Sequence, residues 1–121
     1  MSKRILVIED QEDNRRIMRD LLTSAGYEII EALTAEAGVA AAETHRPALI
    51  LMDIQLPDFD GYEATRRIKA NPALSAIPII AVTSYALSGD DVKAYEAGCD
   101  AYVSKPFSPR ALLAKIREFL T

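Results

Sequence analysis

The sequence predicts an α/β fold built on a parallel sheet, and three observations carry that prediction. Five short apolar runs alternate with five longer stretches of helical spacing, the pattern of repeated βα units. The central runs ILVI, LILM and IPIIAV are nearly continuous apolar, as expected of strands covered on both faces. No internal repeat, low-complexity tract or linker interrupts the 121 residues, so the expectation is one domain over 1–121 with nothing appended.

Taken in order, the first strand is expected at 5–8. The first helix follows, with Ile17, Leu21, Leu22 and Ala25 three or four apart and Gly26 as its stop. A short strand at 29–30 leads to an alanine-rich helix from Thr34 to His45. Thr34 is its N-cap candidate, and Glu36 and Glu43 lie on its solvent side. The third strand spans 49–52, and a helix over 62–70 ends before Asn71-Pro72. A strand over 77–82 and a helix over 90–97, closed by Gly98, come next. The last strand covers 101–103, and the last helix starts at Ser108-Pro109, a cap followed by proline at the first helical position, and runs to Phe119.

Bulk properties exclude several functions. The formal net charge of −4 and a pI near 5.0 argue against binding bare nucleic acid. No apolar run reaches the ~18 residues of a membrane span, and the opening MSKRILVIED is too short in apolar residues for a signal peptide. A lone Cys99 forms no internal disulfide, so the cytoplasm is the expected compartment.

The unusual residues fall at strand ends. The first strand ends in Glu9-Asp10, the third in Asp53, the fourth in Thr83-Ser84 and the fifth in Ser104-Lys105-Pro106. In an open parallel sheet those ends share one edge, where ligands bind. Two carboxylates ~4 Å apart at an effective dielectric of ~20 repel by roughly 4 kcal/mol. Three acids against the single charge of Lys105 leave a deficit suited to a hard divalent cation with oxygen ligands, Mg²⁺ by preference. An aspartate beside Mg²⁺, a lysine and a hydroxyl is also equipped to attack a phosphoryl group and become an aspartyl phosphate.

With these residues placed, the chain resembles, over nearly its whole length, the receiver domain of bacterial two-component response regulators. The resemblance rests on Glu9-Asp10 after the first strand, Asp53 in LILMDIQLPDFDG, Thr83 in AVTSYA, Lys105-Pro106 in YVSKPF and Tyr102 on the fifth strand. It implies a flavodoxin-like (βα)5 three-layer sandwich with strand order 2-1-3-4-5, an order for which the receiver domain is a standard example. It is strongest toward stand-alone receivers, through LILMDIQLPD, GYEATRRIK and the acid-rich GDD at 89–91.

The resemblance also assigns roles. Asp53 is the expected acceptor of a phosphoryl group from a sensor histidine kinase or histidine phosphotransfer protein. Asp10, Asp53 and the backbone carbonyl of Gln55 are the expected Mg²⁺ ligands, with Glu9 acting through water. Thr83 and Lys105 are expected to hold the phosphoryl oxygens. Thr83 and Tyr102 would then switch the face formed by the fourth helix, fifth strand and fifth helix, which signals to a downstream protein. Lys105-Pro106 is expected to be joined by a cis bond. Independently of the resemblance, the first helix starts beside the site, and this position with the expected exposed Met-Phe pair puts the phosphodonor on Asn14, Arg15 and Met18, with Pro106 and Phe107 alongside. The protein itself is expected to be a monomer or a weak phosphorylation-dependent homodimer, and no enzyme beyond its own phosphorylation and dephosphorylation.

Plainer roles stand beside these. Glu9-Asp10 suits the start of the first helix, Thr83-Ser84 a helix cap, Lys105-Pro106 an ordinary turn and Tyr102 half-buried packing. Arg15, Arg16 and Arg19 read as a mostly solvated helix face, His45 as a surface residue and Cys99 as a buried filler. Asp58 and Asp60 are expected to shape the loop after Pro57. Among rival functions, an aspartyl-phosphate phosphatase needs a second acid two residues after its nucleophile, where this chain has Gln55. An FMN carrier would find Glu9-Asp10 repelling its phosphate. A phosphorylation-independent adaptor needs only the folded surface and stays the alternative, with the intact set of Asp10, Asp53, Thr83 and Lys105 arguing against it because a scaffold has no need of so costly a cluster.

Overall fold

The computed structural model describes residues 3–83, 90–105 and 108–120. Ser84, Pro106, Phe107 and the Lys105–Pro106 bond therefore lie outside the described residues, as does Gly89 of the GDD stretch. Five strands, β1 (Arg4–Ile8), β2 (Glu28–Ala32), β3 (Leu49–Asp53), β4 (Ile79–Thr83) and β5 (Ala101–Ser104), alternate with five helices. These are α1 (Glu12–Ser24), α2 (Ala35–His45), α3 (Gly61–Ala70), α4 (Asp90–Ala97) and α5 (Pro109–Leu120). The strands form one sheet in the order β2-β1-β3-β4-β5, every pair parallel, as expected.

Alternation along the strands divides the core. Ile5, Val7, Leu49, Leu51, Ile80 and Val82 face α1 and α5, meeting Met18, Leu22, Leu112 and Ile116. Leu6, Ile8, Ile50, Met52, Ile79 and Ala81 face the other way, toward Ala35, Ala42, Ala64, Ile68 and Ala94 of α2, α3 and α4. All five residues of β3 and of β4 are buried, which is why their sequences lack a polar alternate. Each fully buried aliphatic side chain contributes roughly 1.5–3 kcal/mol relative to exposure. Small residues set the layer spacing on the α2 side, where a Cβ on Gly38 would run into the side chain of Ile8.

The helix signals mostly hold. Thr34 accepts a hydrogen bond from the Ala37 amide at 3.0 Å, and Ser108 accepts one from Ala111 at 3.3 Å. Gly26 and Gly98 take φ of 93° and 112° just past α1 and α4, conformations that favour glycine. Several bounds move, β2 for one covering 28–32 rather than 29–30, and one helix face turns. β4 starts at Ile79 rather than at residue 77, because Pro78 has no amide to donate; its carbonyl still accepts from Ile50 at 2.9 Å. The buried stripe of α1 is Arg15, Met18 and Leu22, and Ile17, expected on that stripe, is 50% exposed. Among the described residues no helix is long and apolar enough to cross a membrane.

Candidate functional site

Parallel pairing brings the C-terminal ends of β1, β3, β4 and β5 to one edge, and the polar residues meet there. Asp53 closes β3 and is 3% exposed; Glu9, just past β1, and Thr83, closing β4, are fully buried. The Lys105 amide donates to the Thr83 carbonyl at 2.7 Å, which fixes the lysine's backbone beside β4. Its ammonium then reaches Glu9 Oε1 at 2.9 Å and Asp53 Oδ1 at 3.3 Å. Carboxylate oxygens of Glu9, Asp10 and Asp53 all lie within 4.8 Å of one another. A cleft of about 310 Å³ opens over them, lined by Asp10, Gln11, Asn14, Asp53, Gln55 and Lys105.

The electrostatics of this cluster are unbalanced. Burial is the chief cause that pushes Asp53 up to about 7, reinforced by the hydrogen bond and charge of Glu9 and opposed by Lys105. Burial pushes Glu9 up as well, but hydrogen bonds from Asp53 and Lys105 outweigh it and hold Glu9 below its ordinary value. Desolvation works against the Lys105 cation, yet Glu9 and Asp53 hold its pKa above the usual lysine range. One ammonium is thus shared between two buried carboxylates, and Asp53 binds its proton more tightly than an ordinary aspartate. The pocket's donor set is carboxylate and amide oxygen, with no sulfur or imidazole among its lining residues. Three converging carboxylates with a single ammonium between them fit a hard divalent cation such as Mg²⁺. Asp10, Asp53 and the Gln55 carbonyl could ligate it, while Glu9 does not line the cleft and would act from behind.

The loop after Asp53 is tied at several points. The Gln55 amide donates to Asp53 Oδ1 at 3.2 Å, orienting the carboxylate. Asp58 accepts from the Ala35 and Glu36 amides, both at 2.9 Å, and so caps α2. Asp60 caps α3 by accepting from Glu63 at 2.9 Å. The Gly61 amide donates to the Ile54 carbonyl at 2.9 Å, and a Cβ on Gly61 would strike the Asp53 carbonyl oxygen and sit 2.8 Å from Ile54 Cα. Asp58 and Asp60 therefore shape the loop, as their sequence context indicates, and Gly61 is required by close approach. Arg67 stacks 4.0 Å from the ring centroid of Phe59 over the same loop.

The structure brings Glu9, Asp10, Asp53, Gln55 and Lys105 together and sets Thr83 on the adjoining strand end. Tyr102 is half-buried and packs against the α2–α3–α4 side of the core. The expected docking surface needs correction. Asn14 does line the cleft, but Met18 is 1% exposed beneath the sheet and Arg15 is 7% exposed, so neither presents a side chain to a partner. Met18 follows the apolar stripe of α1 inward. Arg15, expected on a solvated face, turns in because the Glu9 and Asp10 carbonyls and Glu31 satisfy it. Pro106 and Phe107 lie outside the described residues. Sequence reasoning also missed Gln11 at the cleft; its place in the loop between β1 and α1 was the available signal.

Comparison with known proteins agrees with this arrangement. Residues 5–117 match the family described as response regulator receiver domain. The polar-differentiation response regulator DivK of Brucella anthropi is 42% identical over 120 residues, covering 99% of this chain and 98% of DivK. Among solved structures, a putative response regulator from Chloroflexus aurantiacus superposes with a TM-score of 0.95 at 26% identity, covering 99% of this chain and 98% of that one. The receiver domain of a sensor histidine kinase from Pseudomonas aeruginosa, solved with a magnesium ion coordinated in its active site cleft, gives 0.92 at 36% identity, covering 98% of each.

Proposed function

The chain belongs to the response regulator receiver domain family of two-component signalling, and from that premise we propose that Asp53 is its phosphoryl acceptor. The observation that carries this reading is the convergence of Asp53, Asp10 and Lys105 from three strand ends onto one cleft, with Glu9 behind them. The donor is a phosphohistidine on a sensor kinase or phosphotransfer protein. An Asp53 carboxylate oxygen attacks phosphorus in line; the O–P bond forms as the P–N bond breaks, and the electron pair leaves with the imidazole. Mg²⁺, when bound, supplies charge neutralisation to the phosphoryl oxygens and the acids around them.

The chain's own residues do the rest. Lys105, 3.3 Å from Asp53, favours the carboxylate anion needed for attack and then hydrogen-bonds a phosphoryl oxygen. The Thr83 hydroxyl serves a second oxygen from the end of β4. The Gln55 amide holds Asp53 Oδ1 at 3.2 Å, leaving the other oxygen for the incoming phosphorus. Return to the starting state is attack by water, with the aspartate leaving. The Gln55 side-chain amide is not acidic and cannot serve as general acid to a departing alkoxide, which favours a phosphoryl acceptor over a small-molecule phosphatase. Phosphorylation draws Thr83 toward the new charge and Tyr102 inward, so the face of α4, β5 and α5 changes and signals by protein contact.

A phosphotransfer assay tests this. Radiolabel on a purified, autophosphorylated kinase or phosphotransfer protein from the source cell is expected to move to the wild-type chain in the presence of Mg²⁺. Asp53→Asn should accept none. Equal labelling of wild type and Asp53→Asn would sink the assignment.

A further inference from the structure

Arg15 occupies a place that a surface arginine of a first helix does not need. It lies one turn into α1, buried under the loop that carries Glu9 and Asp10. Its Nη1 donates to the carbonyl oxygens of both residues, at 3.1 Å to Glu9 and 2.9 Å to Asp10. Its Nη2 reaches Glu12 at 3.3 Å, and Nε lies 3.4 Å from Glu31 Oε1 on β2. Glu31 is itself gripped by Arg19 at 2.8 Å through both carboxylate oxygens, which anchors the assembly to the sheet. Guanidinium geometry suits this task, since one nitrogen can serve two carbonyls while the others hold side-chain acids.

We propose that Arg15 is a positioning residue of the acidic site: it clamps the two carbonyls from below, so that the Glu9 and Asp10 carboxylates are held toward Asp53. The inference rests on the reading of this cleft as a Mg²⁺-dependent phosphoryl site. A chain free to rotate at those peptide units would spread the three oxygen donors that now lie within 4.8 Å. Charge and clamp make opposite predictions. As a bare like charge near the cation site, Arg15 would weaken Mg²⁺ binding, and its removal would tighten it. As a clamp, its removal loosens binding, and lysine, a single point charge on a flexible stem, does not replace it.

The test is Mg²⁺ titration by calorimetry of Arg15→Lys and Arg15→Met beside wild type, with Arg16→Ala as control. Arg16 is an exposed neighbour on the same helix, its side chain 61% exposed. Arg15→Met leaves Glu31 neutralised by Arg19, which limits damage to folding. Arg15→Lys keeps the charge in case Arg15→Met does not fold. The clamp predicts Mg²⁺ affinity 10–100-fold weaker in both variants, the usual penalty for losing a partner that orients metal ligands, and unchanged in Arg16→Ala. It also predicts that saturating Mg²⁺ restores most of the rate of phosphorylation by acetyl phosphate, because Arg15 touches no reacting atom. Affinity within about twofold of wild type in a folded Arg15→Lys, or tighter binding in Arg15→Met, overturns the inference. A wild type that binds no Mg²⁺ would instead refute the reading of the site itself.

Discussion

Replacing Asp53 by asparagine should stabilise the metal-free protein at pH 8, although it destroys the proposed acceptor. Asp53 is 3% exposed, shares its space with the fully buried Glu9 and, among the described residues, has Lys105 as its counter-charge. Its pKa therefore rises from 3.8 to about 7 on folding. A group that binds its proton more tightly when folded supports folding while protonated. That support is complete below pH 3.8 and is lost as pH climbs through about 7. A rise of about three units corresponds to ~4 kcal/mol at ~1.36 kcal/mol per unit. Glu9 moves the opposite way, so the net gain expected for Asp53→Asn lies below that figure, on the order of a few kcal/mol. For a domain of this length that is roughly 10 °C in Tm. The assay is thermal and urea unfolding in EDTA from pH 4 to 8. The gain should shrink toward zero at pH 4, and saturating Mg²⁺ should close the gap by stabilising wild type alone. An Asp53→Asn protein no more stable than wild type at pH 8 without metal would refute the electrostatic reasoning.

Other predictions follow from the supports around the site. Gly61→Ala presses a methyl against the backbone of Asp53 and Ile54, so it should cost ~1–3 kcal/mol by urea denaturation and weaken Mg²⁺ binding in the same sample. Asp58→Ala removes two amide partners at the start of α2 and should cost ~1–2 kcal/mol in the urea midpoint without changing the urea slope. Lys105→Met deprives Glu9 and Asp53 of their cation; phosphorylation by acetyl phosphate at saturating Mg²⁺ should fall ~100-fold or more, with stability at pH 8 falling too.

Much of this molecule was legible in its sequence, for physical reasons that also mark the limits. Strands covered on both faces show as apolar runs, and helices announce themselves through Thr34, Ser108-Pro109 and Gly26. The site was legible because parallel topology sends every strand's C-terminal end to one edge, whatever lies between. What failed was the orientation of α1. Periodicity scores an arginine as polar, yet Arg15 is buried because its partners are two backbone carbonyls and a glutamate on β2. Carbonyl partners leave no mark in a sequence. The same holds for Asp58, whose amide partners on α2 lie 22 and 23 residues earlier. Ile77 looked like strand because it is apolar, and only the missing amide of Pro78 decides where the ladder begins.

Locating the phosphoryl group tests the central claim most directly. The protein would be treated with acetyl phosphate and Mg²⁺, the acyl phosphate trapped by borohydride reduction, and the modified residue identified by peptide mass spectrometry. The account predicts one modified residue, Asp53, with no modification when EDTA replaces Mg²⁺ and none in Asp53→Asn. A phosphoryl group on any other residue, or none on the folded wild-type protein with Mg²⁺ present, would contradict it.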